Sequence, residues 1–402
     1  MLLSNEYTVR FSSLKHWNLY SLVFIFLLLF NSCGNKKDPT LFSHPADFEP
    51  VESICFMWSG QYKEIISELI GAISGKGHVT VFFDEELYNE ESVKMGLGNY
   101  NSNFSNIGFQ KFQECPEDNV WIRDFGPVYL INGLGEKKLV EFKYFNERFG
   151  FTGEYAAKMN LPVIKSSLNS SGGAREVNGK GTILLCEAHE LDVNHPKIKS
   201  EIEKEITENL VLKKVIWLKR GIPQDDSILE GPLYENIYPN GLNGHVDEFC
   251  RFANPETILI SSVSEEEANT HAILREAKKR LDENYEILVN STDQDGKKFK
   301  VVKVPFAPLR IVSRYVGQEK KHVTTVTSYM NFIITDSLII LPSYDLGYPR
   351  TTQTTRMKEK EVVGIFKEVF PAREVIKVKA DRLNYFSGGF HCVSINIPRV
   401  NN

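Results

Sequence analysis

Apolar residues recur along the chain at two alternating spacings. Residues 54–58 (Ile-Cys-Phe-Met-Trp) form a continuous apolar run of strand length. Residues 64–73 then place Ile65, Ile66, Leu69, Ile70 and Ile73 on one helical face, and residues 79–83 are β-branched and aromatic. The spacing predicts the same alternation three more times: strand 182–185, helix 198–210 and strand 215–218; strand 257–260, helix 265–281 and strand 285–289; strand 337–341, helix 355–369 and strand 374–378. Such alternation is the signature of an α/β fold. The strand–helix–strand unit thus appears about four or five times, each after a glycine-rich or polar turn. Units repeated around an axis would bring those turns together at its centre. No internal linker is long enough to split the body, so residues 43–402 read as a single domain. Residues 293–300 are its most polar internal stretch and read as an exposed hairpin or loop.

The pattern is different at the start. Lys15 and His16 precede a mostly apolar run over residues 19–30, followed by Asn31-Ser32-Cys33-Gly34. A charged region, a short apolar core and a small residue before the cut have the architecture of an export signal. The run is short for a membrane span. Cysteine directly after it resembles a bacterial lipobox, although Phe30 and Asn31 depart from the usual pattern; an uncleaved anchor is the alternative. The expectation is a signal peptide over residues 1–32, a lipidated Cys33, and a polar tether over residues 33–42. The body would then be an exported lipoprotein of a bacterial envelope, periplasmic or at the cell surface.

Composition changes this picture little. Of 402 residues, 42% are hydrophobic and 25% charged, an ordinary globular balance. A net charge of −5 supplies no basic excess for phosphates and argues against a nucleic-acid partner. The six cysteines contain no CxxC pair and no zinc-ligand spacing. Cys55, Cys186 and Cys250 fall in or beside apolar strand-like runs and are expected buried and reduced.

Candidate chemistry collects in four stretches. Gly388-Gly389-Phe390-His391-Cys392 leads into an apolar strand over residues 393–397, which would fix a thiol at the join. A buried core cysteine is the alternative there. Trp121-Ile122-Arg123-Asp124-Phe125-Gly126-Pro127 places a carboxylate at a strand end by a turn, where Asp124 could equally cap that turn. Gly172-Gly173-Ala174-Arg175-Glu176 sets a carboxylate after two glycines, where an exposed strand residue is the alternative. Gly244-His245-Val246-Asp247 puts imidazole and carboxylate two apart, on one face if the segment is a strand. A metal site with His391 and Cys392 is disfavoured, because structural zinc wants closely spaced pairs and His391 would point away from Cys392 on a strand. Acid–base chemistry beside a thiol fits better.

Together these stretches resemble the guanidine-modifying superfamily, the penteins, and within it the family of agmatine deiminases and Porphyromonas-type peptidylarginine deiminases. The resemblance runs from His44-Pro45-Ala46-Asp47-Phe48-Glu49-Pro50 to Pro398. It also takes in Val215-Ile216-Trp217-Leu218 and Ser328-Tyr329-Met330-Asn331-Phe332. It implies a five-bladed, pseudo-symmetric α/β propeller with no metal or organic cofactor. It implies Cys392 as nucleophile and His245 as general acid/base. Asp124 and Asp247 would grip the guanidinium, Glu176 would contact substrate, and Trp121 would wall the pocket. Arg148 lies where the peptidylarginine enzymes carry a carboxylate-binding arginine, though its surroundings depart from theirs. The expected reaction is deimination of agmatine to N-carbamoylputrescine. The alternatives are an arginine-bearing peptide as substrate, or a lipoprotein that only binds arginine-like ligands.

Overall fold

The computed structural model describes residues 38–115, 120–145, 150–346 and 351–400. The signal segment, Cys33 and Arg148 lie outside them. The chain divides into a unit Met1–Leu41 and a unit Phe42–Asn402. Every element below belongs to the second.

Among the described residues five small sheets share one topology. In each, a leading strand pairs antiparallel with a central strand, and the chain returns through a helix to a third strand parallel to the central one. The sets are Val128–Ile131, Lys137–Lys143 and Val163–Asn169; Arg175–Val177, Thr182–Cys186 and Lys214–Leu218; Cys250–Asn254, Thr257–Ser262 and Lys300–Pro305; and Ile333–Ile334, Leu338–Ser343 and Glu374–Lys379. In the fifth, the leading strand comes from the far end of the chain. Ser394–Pro398 pairs antiparallel with Val51–Met57, which is followed by the parallel strands Val79–Asp84 and Ile107–Phe112. A sixth sheet, Ile237–Tyr238 with Glu319–Thr324 and Ile311–Val316, departs from this pattern.

Central strands covered on both faces read as near-continuous apolar runs, although Lys137–Lys143 departs from this with three lysines and a glutamate. Thr182–Cys186 and Leu338–Ser343 are buried along their whole length. Crossover helices are apolar on one side only: Lys63–Ser74 buries Ile65, Ile66, Leu69, Ile70 and Ile73. Cys55, Cys186 and Cys250 are buried free thiols, as expected, and burial pushes Cys186 up to about 12. Cys115 is buried as well.

The unit that follows Thr257–Ser262 differs from expectation. Residues 285–289 are not a strand but the end of the helix Ala272–Asn290. Ala277, Leu281, Asn284 and Leu288 are buried at spacings of four, three and four, so the helical stripe continues through a short run that also reads as strand. The parallel strand of that unit is Lys300–Pro305, beyond the polar stretch, which carries the isolated bridge Thr292–Lys298.

The five leading strands position the site. Asp124 lies in the short helix Ile122–Phe125, just before Val128–Ile131. Gly172–Ala174 is a single turn before Arg175–Val177. His245 and the turn Val246–Glu248 precede Cys250–Asn254. Asn331 comes two residues before Ile333–Ile334, and Cys392 two before Ser394–Pro398. Equivalent positions in repeated units thus carry the polar residues.

Candidate active site

Cys392 is buried, 4% exposed, in a turn rather than on a strand. Ser394 pairs with Phe56, so the turn is anchored directly on the sheet. The Ser394 hydroxyl donates to the carbonyls of Phe390 and His391 at 3.0 and 3.2 Å, and Arg123 N–H donates to the Cys392 carbonyl at 3.1 Å. Asn331 holds the turn from the other side. Its Oδ1 accepts the His391 N–H at 2.8 Å, and its Nδ2 donates to Cys392 Sγ at 3.1 Å and to Glu248 Oε1 at 2.8 Å. This approach demands glycine at 389, where a Cβ would stand 2.4 Å from Asn331 Oδ1. Trp121 packs under the same turn, against Gly388, and meets Tyr62 edge-on at 6.0 Å.

Three carboxyl groups surround the thiol. Asp247 Oδ2 is 3.7 Å and Glu248 Oε1 3.8 Å from Cys392 Sγ. Asp124 Oδ1 accepts the Gly173 N–H at 3.0 Å and lies 3.9 Å from His245 Nδ1. A Cβ on Gly173 would come within 2.8 Å of His245 Nδ1 and 2.9 Å of Asp247 Oδ2, so the glycine keeps the space between imidazole and carboxylate open. Asp225 fixes the imidazole segment by accepting the N–H groups of Leu242, Gly244 and His245 at 2.9, 2.9 and 2.7 Å. The segment is a turn, not the strand expected, so His245 and Asp247 flank Gly173 instead of sharing a strand face. Beside His245 is a cavity of about 50 Å³ lined by Tyr144, Phe145, Ser170, Ser171 and His189.

Burial dominates the electrostatics. It raises Asp124 to about 6 and lifts Asp247 and Glu248 well above the usual carboxylate range, with neighbouring carboxylates adding to both. Burial, then Asp247, Glu248 and Asp124, pushes the Cys392 thiol well up, so without a bound cation it is protonated. His245 is depressed to about 3 by burial and by Arg175. Asp247 Oδ1, Glu248 Oε2 and His245 Nε2 are buried with no hydrogen-bond partner. Buried polar atoms left this way are satisfied by water, by an ion or by a ligand that binds there.

Behind this shell lies a second charged layer, which corrects two expectations. Glu176 does not face the thiol: its carboxylate pairs with Arg251 Nε and accepts the Phe252 N–H at 3.3 Å. It is neither an exposed strand residue nor placed to touch a substrate at Cys392. His391 does not point away from the site either. Because residues 391–393 form a turn, its Nδ1 reaches Asp247 Oδ2 at 2.7 Å while its Nε2 reaches Asp47 Oδ2 at 2.6 Å. Asp47 is also held by Arg123 at 3.2 Å and by Arg251 at 3.1 Å.

Among the described residues two donor triads are close enough to hold a cation, Asp47–Glu176–His391 and Asp247–Glu248–Cys392. The first is already bridged internally and faced by two arginines. The Asn331 amide already engages two members of the second. Asn331, Glu248, Asp47 and Asp225 carry no signal of their own in the sequence. The first three do lie inside or beside the stretches that carry the family resemblance.

The sequence profile of Porphyromonas-type peptidyl-arginine deiminases matches residues 43–398. An agmatine deiminase of Pseudomonas putida (strain F1) is 26% identical over 387 residues, covering 89% of this chain and 95% of that one. One from Pseudomonas fluorescens (strain SBW25) is 25% identical over 386 residues with the same coverage. Among solved structures, the agmatine deiminase of Enterococcus faecalis superposes with a TM-score of 0.71 at 21% identity, over 89% of this chain and 96% of that chain. The C. jejuni agmatine deiminase with substrate bound gives 0.65 at 18% identity, over 90% and 98%. At these identities the structural likeness establishes the α/β fold in common.

Proposed function

We propose that this chain, which belongs to the Porphyromonas-type peptidyl-arginine deiminase family, is a hydrolase of guanidinium C–N bonds whose substrate is agmatine. The observation that carries the reading is the pair of buried carboxylates Asp124 and Asp247, the latter with Oδ1 unpartnered, beside a buried thiol and imidazole. A guanidinium is planar and cationic and donates several N–H bonds, which such acceptors hold by charge-assisted pairs. Agmatine is favoured over an arginine peptide by the curated relatives, which are agmatine deiminases matched over nearly their full length.

In this mechanism Asp124 and Asp247 hold the guanidinium with its central carbon towards Cys392. The cation lowers the thiol's pKa, and the proton released passes to His245. The thiolate attacks, forming a C–S bond and a tetrahedral adduct. His245 returns the proton to the departing nitrogen, and ammonia leaves. Water then adds to the thiouronium carbon, giving its proton to His245. As the C–S bond breaks, the hydroxyl oxygen becomes the ureido carbonyl and its proton leaves to make ammonium of the ammonia, while His245 returns its own proton to the sulfur and restores the thiol. The cavity beside His245 offers room for that water. Trp121, whose ring packs against Gly388 in the turn that carries Cys392, walls the pocket in this reading.

We further infer that the five sheets stand around one axis as a five-bladed propeller. Their common topology supports this, as does the place of each polar residue before a leading strand. The export reading rests on the sequence of residues 15–33 alone. Its test is Cys33→Ser, which should release the protein from membranes or leave an unprocessed precursor.

The decisive assay is ammonia release by protein lacking residues 1–33, offered agmatine, free arginine and arginine peptides. Preference for the peptide would replace agmatine by protein arginine as substrate. Binding of all three without ammonia would reduce the protein to a ligand carrier.

A further inference from the structure

His391 is a residue of this site that the deiminase reading leaves unused, and it is buried between two carboxylates at 2.7 and 2.6 Å. Each contact requires a proton. The protons can be counted from the neighbours. Asp47 lies against the guanidinium groups of Arg123 and Arg251, which, with His391, hold it well below the usual range despite burial. It is therefore the acceptor, and the imidazole carries a proton on Nε2. On the other side a single proton lies between Nδ1 and Asp247 Oδ2. It is either on the imidazole, donated to a carboxylate, or on Asp247, donated to a neutral ring.

We propose that His391 is a positioning residue that stores the Asp247 proton: neutral while the site is empty, imidazolium once a guanidinium binds. This inference rests on the deiminase reading. In the empty site Asp247 faces Asp124, Glu248, Glu176 and the Cys392 thiol, with Arg251 and Arg123 as opposing charges. Burial, and then that surplus of acidic groups, keep the proton on Asp247. His391 is in turn depressed by burial and by Arg123 and Arg251, against the pull of Asp47. A bound guanidinium reverses the balance by donating to the unpartnered Asp247 Oδ1, which favours the carboxylate. The proton then crosses one hydrogen bond to Nδ1, and none leaves for solvent. Coupled sites of this kind share a proton inventory rather than titrating separately. The carboxylate–imidazole–carboxylate line also fixes the rotamer of Asp247, as outer partners do for metal-bound imidazoles.

The test uses the Cys392→Ser protein, which has no thiol to titrate, and variants of it carrying His391→Asn or His391→Gln. Both amides keep a donor in the region of the ring but neither can take up a proton. Agmatine binding is measured by calorimetry between pH 7 and 9 in buffers of different ionisation enthalpy. With His391 present, affinity should be flat over that window, with close to zero net proton release. With either amide, binding should release on the order of one proton and strengthen by roughly tenfold per pH unit. A loss of affinity that is the same at every pH, with no added proton release, would reduce His391 to packing and overturn the proposal. Should both variants fail to fold, nitrogen chemical shifts of the labelled imidazole decide it in the Cys392→Ser protein. They should move from the neutral to the imidazolium pattern on adding agmatine, and unchanged shifts overturn the proposal. Absence of ammonia release by the parent protein would fail the deiminase reading itself, a separate outcome.

Discussion

Cys392 and Asp124 should fail differently when each is changed. Cys392→Ser leaves the carboxylates in place and removes only the nucleophile, since a serine hydroxyl stays protonated beside Asp247 and Glu248. Ammonia release should fall to background while calorimetry still reads agmatine binding. Residual turnover in that protein would sink the covalent route. Asp124→Asn keeps the thiol and removes a buried charge. Losing one partner of a buried charge pair costs roughly 2–5 kcal/mol, so binding should weaken on the order of tens- to thousands-fold. Protection of the thiol from an alkylating reagent by agmatine would measure this. Protection as strong as in the parent would return Asp124 to a structural role. At this scale the sequence is legible where chemistry is carried by rare residue types beside glycine: Cys392, His245, Asp124 and Asp247 converge. It is not legible for Asn331 or Asp225, because an amide or carboxylate that binds backbone N–H groups has no distinguishing neighbours in the chain.

Among elements, the turns before the leading strands carry the candidate site residues, and they tolerate little. Gly173→Ala would place a methyl group against His245 Nδ1 and Asp247 Oδ2. Overpacking of this kind costs about 1–3 kcal/mol of stability. The displaced imidazole should lower kcat on the order of a hundredfold, as a misplacement of about 1 Å does. Circular dichroism and thermal melting would show the fold retained, while the assay shows the loss; normal kcat would mean that the turn yields without moving the imidazole. Regular elements are legible from periodicity where strands and crossover helices bury continuous apolar surface; Lys137–Lys143, which carries three lysines and a glutamate, and the helix end at residues 285–289 are not. The turns were read worse: the strand assumed for residues 245–247 and for 391–392 put His391 on the wrong side. Alternation rules hold only where a ladder fixes the pleat. Polar turns answer to partners elsewhere in the chain, here Asp225 and Asn331.

For the whole molecule, the site exists only when all five units are assembled, since Asp124, Gly173, His245, Asn331 and Cys392 each precede a different leading strand. The repeat was visible in the sequence, but the pairing of Ser394–Pro398 with Val51–Met57, which joins the last strand to the first unit, was not. Such a contact leaves no local pattern. A ligand that bridges several units should therefore stabilise the fold as one, and global unfolding can report binding. A ligand at a hundred times its Kd adds about 2.7 kcal/mol. That increment should depend on pH through Asp124, whose folded-state value is raised to about 6 by burial. Above that value Asp124 is a carboxylate and can grip the cation. Below it the folded protein takes up a proton that a bound guanidinium would have to expel, so affinity falls by roughly tenfold per pH unit. The shift in melting temperature that agmatine gives the Cys392→Ser protein should hold between pH 7 and 8 and shrink between pH 6 and 5. In a Cys392→Ser, Asp124→Asn protein the shift should be smaller throughout and lose that decline. A decline that survives the second substitution would assign the titration to another group.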